Sequence, residues 1–316
     1  MNLGRNQING IHIIQNNSEP LFYVNYMTPY IHTKIFFGKS HRKMLNSSCV
    51  AHNFTAFHGK DGKIYGIGGQ DNWKHHPSWY DAYTFPEFQE IFSDVHGEKY
   101  KKGEKEGIEA LKKINMLRVP YKHTRGLYLF STEDGKHWKQ DVLNPIIKTT
   151  HPGFNSALSW KSSEFDGQCS CVWNQEKELY YLFVRENIAP GLRHVQYSTS
   201  KDLINWNEFK RVELNDYNHE MNYYYMLVSK DDKYYGLIPC YYEGNSYIKV
   251  YESENCEEWT FLRDFVTEKS IFIDDVEKCP THPCGGILRE GKRRFIYLYH
   301  NYYSYKGKAY VKKYEF

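Results

Sequence analysis

One phrase recurs along this chain: Ser or Thr, any residue, Asp or Asn, three further residues, then Trp. It reads Thr132–Asp134–Trp138, Ser200–Asp202–Trp206 and Ser253–Asn255–Trp259. The three tryptophans lie 68 and 53 residues apart. Each copy follows a polar turn and a Tyr-rich run of strand-forming residues. A repeat on the order of 40–50 residues that carries several strands is the signature of a propeller blade. A ring of blades builds its site at the axis, from the innermost strand of each blade. The repeat therefore confines the search for chemistry to a few short segments.

Four hairpins share one pattern, an apolar run, a charged turn and an aromatic run. They cover 53–57 with 64–68, 169–173 with 179–184, 223–228 with 234–238, and 286–288 with 294–299. Their turns are rich in Asp, Gly, Asn and Lys, which favour tight reversals. The N-terminal segments 21–26 and 34–37 supply strands of a fifth blade. The C-terminal stretch 309–316 is expected to pair with that blade and close the ring, which removes exposed sheet edges. The expectation is an all-β, five-bladed β-propeller forming a single domain over 1–316. In the repeated phrase, Asp or Asn should bond its own backbone as a turn, and Trp should pack between blades. One stretch breaks the pattern: 73–119 reads as a partly helical insertion, with an aromatic part at 79–92 and a charged part at 98–113. It is a solvated surface excursion or, alternatively, a lid or oligomer contact.

Composition removes several classes. Aromatic residues make up 17% of the 316 residues, with 29 Tyr, too many for a disordered chain. Most of these Tyr are expected to pack within blades, and a minority to line the central funnel. The net charge is +3 and no basic stripe stands out, which argues against nucleic acid. No apolar run approaches about 18 residues, so no membrane span is read. The first fifteen residues lack the basic and apolar regions of a leader, which tilts towards a cytoplasmic location. Seven cysteines, an odd number, read as reduced thiols; Cys279 and Cys284 are open to pairing or to remaining free. Zinc-ligand spacing, a phosphate-binding Gly loop and a dinucleotide fingerprint are not found, so no metal or cofactor is expected.

The stretch Gly191–Trp206, GLRHVQYSTSKDLINW, resembles the invertase-type family 32 glycoside hydrolases and their family 43 and 68 relatives. The resemblance covers roughly residues 49 to 300. It implies a five-bladed propeller acting on furanosides, fructans, arabinans or xylans, with carbohydrate as the partner. Three acids carry catalysis in that group, on the inner strands of successive blades. They are the Asp of Asn-Asp-Pro, nucleophile or base; the Asp of Arg-Asp-Pro, a transition-state stabiliser; and the Glu of Glu-Cys, the general acid.

The second acid matches Asp166 in Phe165-Asp166-Gly167, and the third matches Glu220 in His219-Glu220-Met221. The flanking Arg, Pro and Cys are absent. The first position departs: Asn53 stands where the catalytic Asp would be, and an amide cannot serve as a carboxylate base. Glycoside cleavage needs a proton donor on the leaving oxygen and negative charge near an oxocarbenium-like ring. Glu220 fits the acid and Asp166 the stabiliser. A third group must activate water, and the candidates are His52, which on a regular strand faces away from Asn53, and Asp71 at the rim. His52, Asn53, Trp73, Arg185, Arg193, His282 and His300 are candidate substrate contacts, the arginines suiting an anionic group.

Three functions fit these residues. The chain hydrolyses a glycosidic bond; it holds a sugar without turnover, having lost its first carboxylate; or it cleaves glycosides with phosphate in place of a protein nucleophile.

Overall fold

The computed structural model describes residues 8–16, 19–26, 32–37, 44–46, 52–70, 126–135, 137–141, 145–148, 151–154, 167–189, 192–273, 276–303 and 307–316. Among them the regular structure is all strand. No helix among the described residues is long and apolar enough to cross a membrane. The insertion 73–119, with its expected helix, lies outside the described residues.

Sheet I holds β1 (Ile8–Asn16), β2 (Glu19–Tyr26), β3 (His32–Phe37) and β4 (Met44–Asn46) in chain order. Sheet II holds β5 (His52–His58), β6 (Ile64–Gln70), β7 (Gly126–Thr132) and β8 (Lys139–Gln140), with β9 (Ile147–Lys148) also on β7. Sheet III holds β10 (Ser170–Asn174), β11 (Leu179–Ala189), β12 (Leu192–Ser200) and β13 (Lys210–Arg211). Sheet IV gathers β14 (Glu213–Leu214), β15 (Asn222–Tyr223), β16 (Leu227–Lys230), β17 (Tyr234–Tyr242), β18 (Asn245–Ser253) and β19 (Glu258–Lys269). A ribbon of β20 (Ile271–Ile273) and β21 (Val276–Lys278) precedes sheet V, made of β22 (His282–Pro283), β23 (Leu288–Glu290), β24 (Arg293–His300) and β25 (Tyr310–Glu315). The arrangement is all-β and propeller-like. In sheets IV and V the first strand is split: β15 and β16 both pair with β17, and β22 and β23 both pair with β24.

The recurring phrase builds the same turn three times. The hydroxyl of Thr132, Ser200 or Ser253 donates to Asp134, Asp202 or Asn255 at 3.0, 3.0 and 3.2 Å. The same hydroxyl accepts from the backbone N–H of Gly135, Leu203 or Cys256 at 3.1, 3.0 and 2.9 Å. Those three residues adopt left-handed φ of 72°, 68° and 70°, a conformation uncommon outside glycine, and the hydroxyl bond holds them there. The Asp or Asn carboxyl or amide oxygen then accepts from the following N–H groups, such as Ile204 and Asn205 at 2.9 and 2.8 Å. The turn aims the Trp inward, and the indoles of Trp206 and Trp259 donate back to Leu203 and Cys256.

Each Trp packs on the sheet before its own. Trp138 joins Ile14 and Tyr23 of sheet I to Phe54 and Phe130 of sheet II. Trp206 joins Phe57, Ile67 and Leu129 of sheet II to Leu182 of sheet III. Trp259 meets Phe183 of sheet III edge-on at 5.7 Å. The preceding sheet also bonds the turn itself: Tyr23 to the Gly135 carbonyl, Lys60 to that of Lys201 and Asn174 to that of Asn255. The phrase is thus the fastener between neighbouring sheets.

The ends of the chain meet differently from the expectation. β25 pairs with β24 of its own sheet V rather than with the N-terminal sheet. Sheet I is complete without it. The first and last sheets touch instead through a parallel bridge between Ile13 and Gly285. Gly285 has φ 138°, and a Cβ there would come 2.9 Å from the Ile13 carbonyl oxygen. Only glycine meets both demands. The six described cysteines are buried free thiols, Cys279 and Cys284 included.

Candidate functional site

The first strand of each large sheet contributes to the wall of one cavity, through His12–Ile14, Thr55–Gly59, Ser170–Trp173, Val228–Lys230 and Gly286–Leu288. These segments therefore surround a common axis. The sequence candidates Asn53, Glu220 and His282 lie earlier along the same strands or just before them. The candidate site is built from these strand starts.

Asn53 is 4% exposed, with φ 53°. It sits in a register shift, His52 facing Gly69 and Thr55 facing Ile67 on β6. The extra residue breaks the alternation of a regular strand, so the expected opposition of His52 and Asn53 does not apply. The side chain of His52, and the whole of Asp71, Trp73 and Asp166, lie outside the described residues. Gly167, the neighbour of Asp166, lies within them. A Cβ on Gly167 would come 3.1 Å from the Arg185 Cβ, so the arginine stem runs along the backbone just after Asp166.

Glu220 is exposed, on a turn closed by the Met221 N–H to the Asn218 carbonyl at 3.1 Å. Its backbone N–H donates to the Asn218 side chain at 2.9 Å, and its carboxylate accepts from the Tyr242 hydroxyl at 2.6 Å. Tyr242 ends β17, so the acid is tied to the second strand of its own sheet.

Arg185 on β11 and Arg193 on β12 converge on the ring of Tyr224, at 5.4 and 5.2 Å. Arg185 is 2% exposed. Arg193 donates to the Tyr241 hydroxyl at 3.2 Å. A neighbouring acid, Glu186, is held by Arg211 in a two-pronged bond of 2.8 and 2.7 Å.

His282 is buried beside Tyr224, Tyr225 and Tyr302, the last ring only 4.2 Å away. Its Nδ1 meets the Tyr225 hydroxyl and its Nε2 the Cys279 carbonyl, both at 2.9 Å. Burial drives its pKa down to about 3, against the bond to the Cys279 carbonyl, so the ring is neutral near pH 7. His300 is likewise engaged at both nitrogens, by Thr281 at 3.1 Å and Tyr314 at 2.7 Å. Burial lowers its pKa. Both histidines offer ring faces rather than free nitrogens.

The structure thus gathers Arg185, Arg193 and His282 around Tyr224. Tyr241 and Tyr242, adjacent on β17, hold Arg193 and Glu220 respectively. The tyrosines 224, 225, 241, 242, 302 and 303 were not singled out from the sequence. The signal was present in the Tyr runs 223–225, 241–242 and 302–303, which a strand-packing reading absorbs. Among the described residues no three metal-capable side chains cluster.

No family model and no curated protein matches this chain. Solved structures do. A thermostable family-43 glycoside hydrolase aligns with a TM-score of 0.56 at 12% identity, over 99% of this chain and 90% of that one. A family 32 β-fructofuranosidase of Bombyx mori aligns at 0.51 and 10%, over 98% of this chain; the chain spans 60% of that enzyme. An N-acetylgalactosamine deacetylase from F. plautii, in complex with blood group B trisaccharide, also gives 0.51 and 10%, over 93% and 80%. At such identities the likeness is one of fold alone.

Proposed function

We propose that this chain is a carbohydrate-active propeller that cleaves a glycosidic bond at the axial end where the inner strands begin. In this reading its five large sheets are five blades of one closed domain. Glu220 is the general acid and Asp166 the transition-state stabiliser. The observation that carries the reading is the rim of sheet IV. There Tyr242 holds the Glu220 carboxylate at 2.6 Å while its neighbour Tyr241 bonds Arg193 of the preceding sheet. The end of β17 thus carries one tyrosine bonded to an acid and the next bonded to a cation, the group types that protonation and sugar recognition use. The sugar-bound deacetylase shows that a related fold holds oligosaccharide and also serves other chemistry. Chromogenic aryl glycosides of xylose, arabinose and fructose-type sugars provide the assay. The expected result is turnover that falls at least ~100-fold in Glu220→Gln. Unchanged turnover in that variant would remove Glu220 from its role.

Asn53 favours a second reading. It is buried, and its left-handed backbone forms the bulge at the head of β5. An asparagine so placed serves the chain path as well as any ligand, and it supplies no base. Sugar binding without turnover would mark a binding propeller. A rate that rises with phosphate would mark an external nucleophile in place of the missing carboxylate. Asp71 is the reserve base for hydrolysis.

A further inference from the structure

Sheet III brings two arginines to one face. In the register of β11 with β12, Arg185 faces Val195 and Asn187 faces Arg193. Arg185 and Arg193 are therefore diagonal neighbours on the same side of the sheet, positions about 7–8 Å apart. Both guanidiniums turn to the ring of Tyr224, between β15 and β16 of sheet IV, at 5.4 and 5.2 Å. Their charge also reaches the Tyr241 hydroxyl: burial pushes its pKa up to about 12, and Arg193 and Arg185 act against that rise. A third cation, Lys278, lies 5.4 Å over Tyr303. That ring belongs to the same cluster, through Tyr302 at 4.8 Å and His282 at 6.3 Å.

Like charges set close together repel, a cost that an anion beside them turns into attraction. Three described acids on these elements are engaged elsewhere. Glu186, next along β11, points to the opposite face, where Arg211 grips it. Glu220 accepts from the Tyr242 hydroxyl, and Glu277 from the Gly244 N–H at 2.8 Å. Arg185 is 2% exposed. Arg193 and Tyr224 are half-buried, so the patch meets solvent on their side. An incoming group meets Arg193 first, with the charge of Arg185 behind it.

We infer that the sugar held in this site carries a carboxylate, as in a uronic acid, which pairs with Arg193 while the sugar ring lies against Tyr224. An arginine fork matches a carboxylate in two parallel bonds, and an aromatic ring offers an apolar face to the C–H side of a sugar. The inference rests on the reading of these strand starts as a carbohydrate site and adds the substrate class; Glu220 has no part in it.

Glucuronate and galacturonate, their neutral parents glucose and galactose, and acetate, each titrated into the whole protein and followed by NMR, test it without any turnover. One uronate should bind at least about tenfold more tightly than its neutral parent and than acetate. Raising sodium chloride from about 20 to about 300 mM should weaken the uronate and leave the parent unchanged. Arg193→Gln should erase the advantage of the uronate. The salt comparison needs no variant, so it holds even if Arg193→Gln does not fold. Neutral sugars bound as tightly as uronates would keep the carbohydrate reading and overturn this one, while no binding by any sugar would remove both. An advantage that persists in folded Arg193→Gln overturns the inference, as does acetate bound as tightly as the uronate, which would mean an adventitious ion only.

Discussion

The Tyr242 hydroxyl donates to the Glu220 carboxylate at 2.6 Å. This bond fixes an otherwise exposed acid on its turn. If Glu220 protonates the leaving group, Tyr242→Phe should lower kcat by about 10-fold to 100-fold, the scale of a hydrogen bond to a charged group. KM should change little, because the bond acts on the acid rather than on the sugar. Steady-state kinetics on an aryl glycoside decide it; equal kcat in the two proteins would show that the bond is only a tether.

Gly285 meets Ile13 where the first and last sheets join. Alanine there faces both φ 138° and a backbone oxygen 2.9 Å away. Gly285→Ala should cost about 1–3 kcal/mol or more. Urea denaturation measures it. A neutral result would mean that the join is not under constraint.

Trp206 fills the junction between sheets II and III. Trp206→Ala leaves a cavity that two packed sheets relax into poorly, and the expected loss is about 3–5 kcal/mol. Thermal unfolding should show a marked drop. Asp202→Ala removes the turn bonds that aim the same indole, and should cost less, about 1–2 kcal/mol.

Asp202 also sets an acid limit. Burial pushes its carboxyl upward, but bonds from Asn205, Ile204 and Ser200 outweigh this and bring it from 3.8 to about 2. A folded value below the unfolded one means stability that is present above about pH 4 and fades as pH falls towards about 2. The wild type should therefore lose more stability than Asp202→Asn between about pH 5 and about pH 2. Parallel slopes for the two proteins would contradict the assignment.

His282 should be silent in the pH dependence. With a pKa of about 3 and both nitrogens bonded, it contributes no inflection between about pH 5 and about pH 8. An inflection in that window that vanishes in His282→Gln would refute this.

Much of the architecture was legible in the chain. The Ser/Thr-x-Asp/Asn-x-x-x-Trp phrase specifies a local turn, because its hydroxyl and its carboxyl or amide oxygen find their donors within three residues. Polar turns between β-prone runs likewise marked the hairpins. Both signals are short-range, so no partner sheet is needed to read them. The closure was not legible. Whether 310–315 pairs with sheet I or with β24 is a choice between two partners of similar pattern, and alternation alone does not rank them.

The same limit governed the site. Place at the start of an inner strand pointed to Asp166, Glu220 and His282, and the chemistry of the guanidinium group pointed to Arg185 and Arg193. The bulge at Asn53, the occupation of both nitrogens of His282 and His300, and the meeting of two arginines over Tyr224 depend on neighbours far apart in sequence. So does the bond of Gln168 to the Ile11 carbonyl, residues 157 apart. Local bonding therefore determined the turns and strands from sequence by itself, and long-range packing between the sheets decided which of those residues meet.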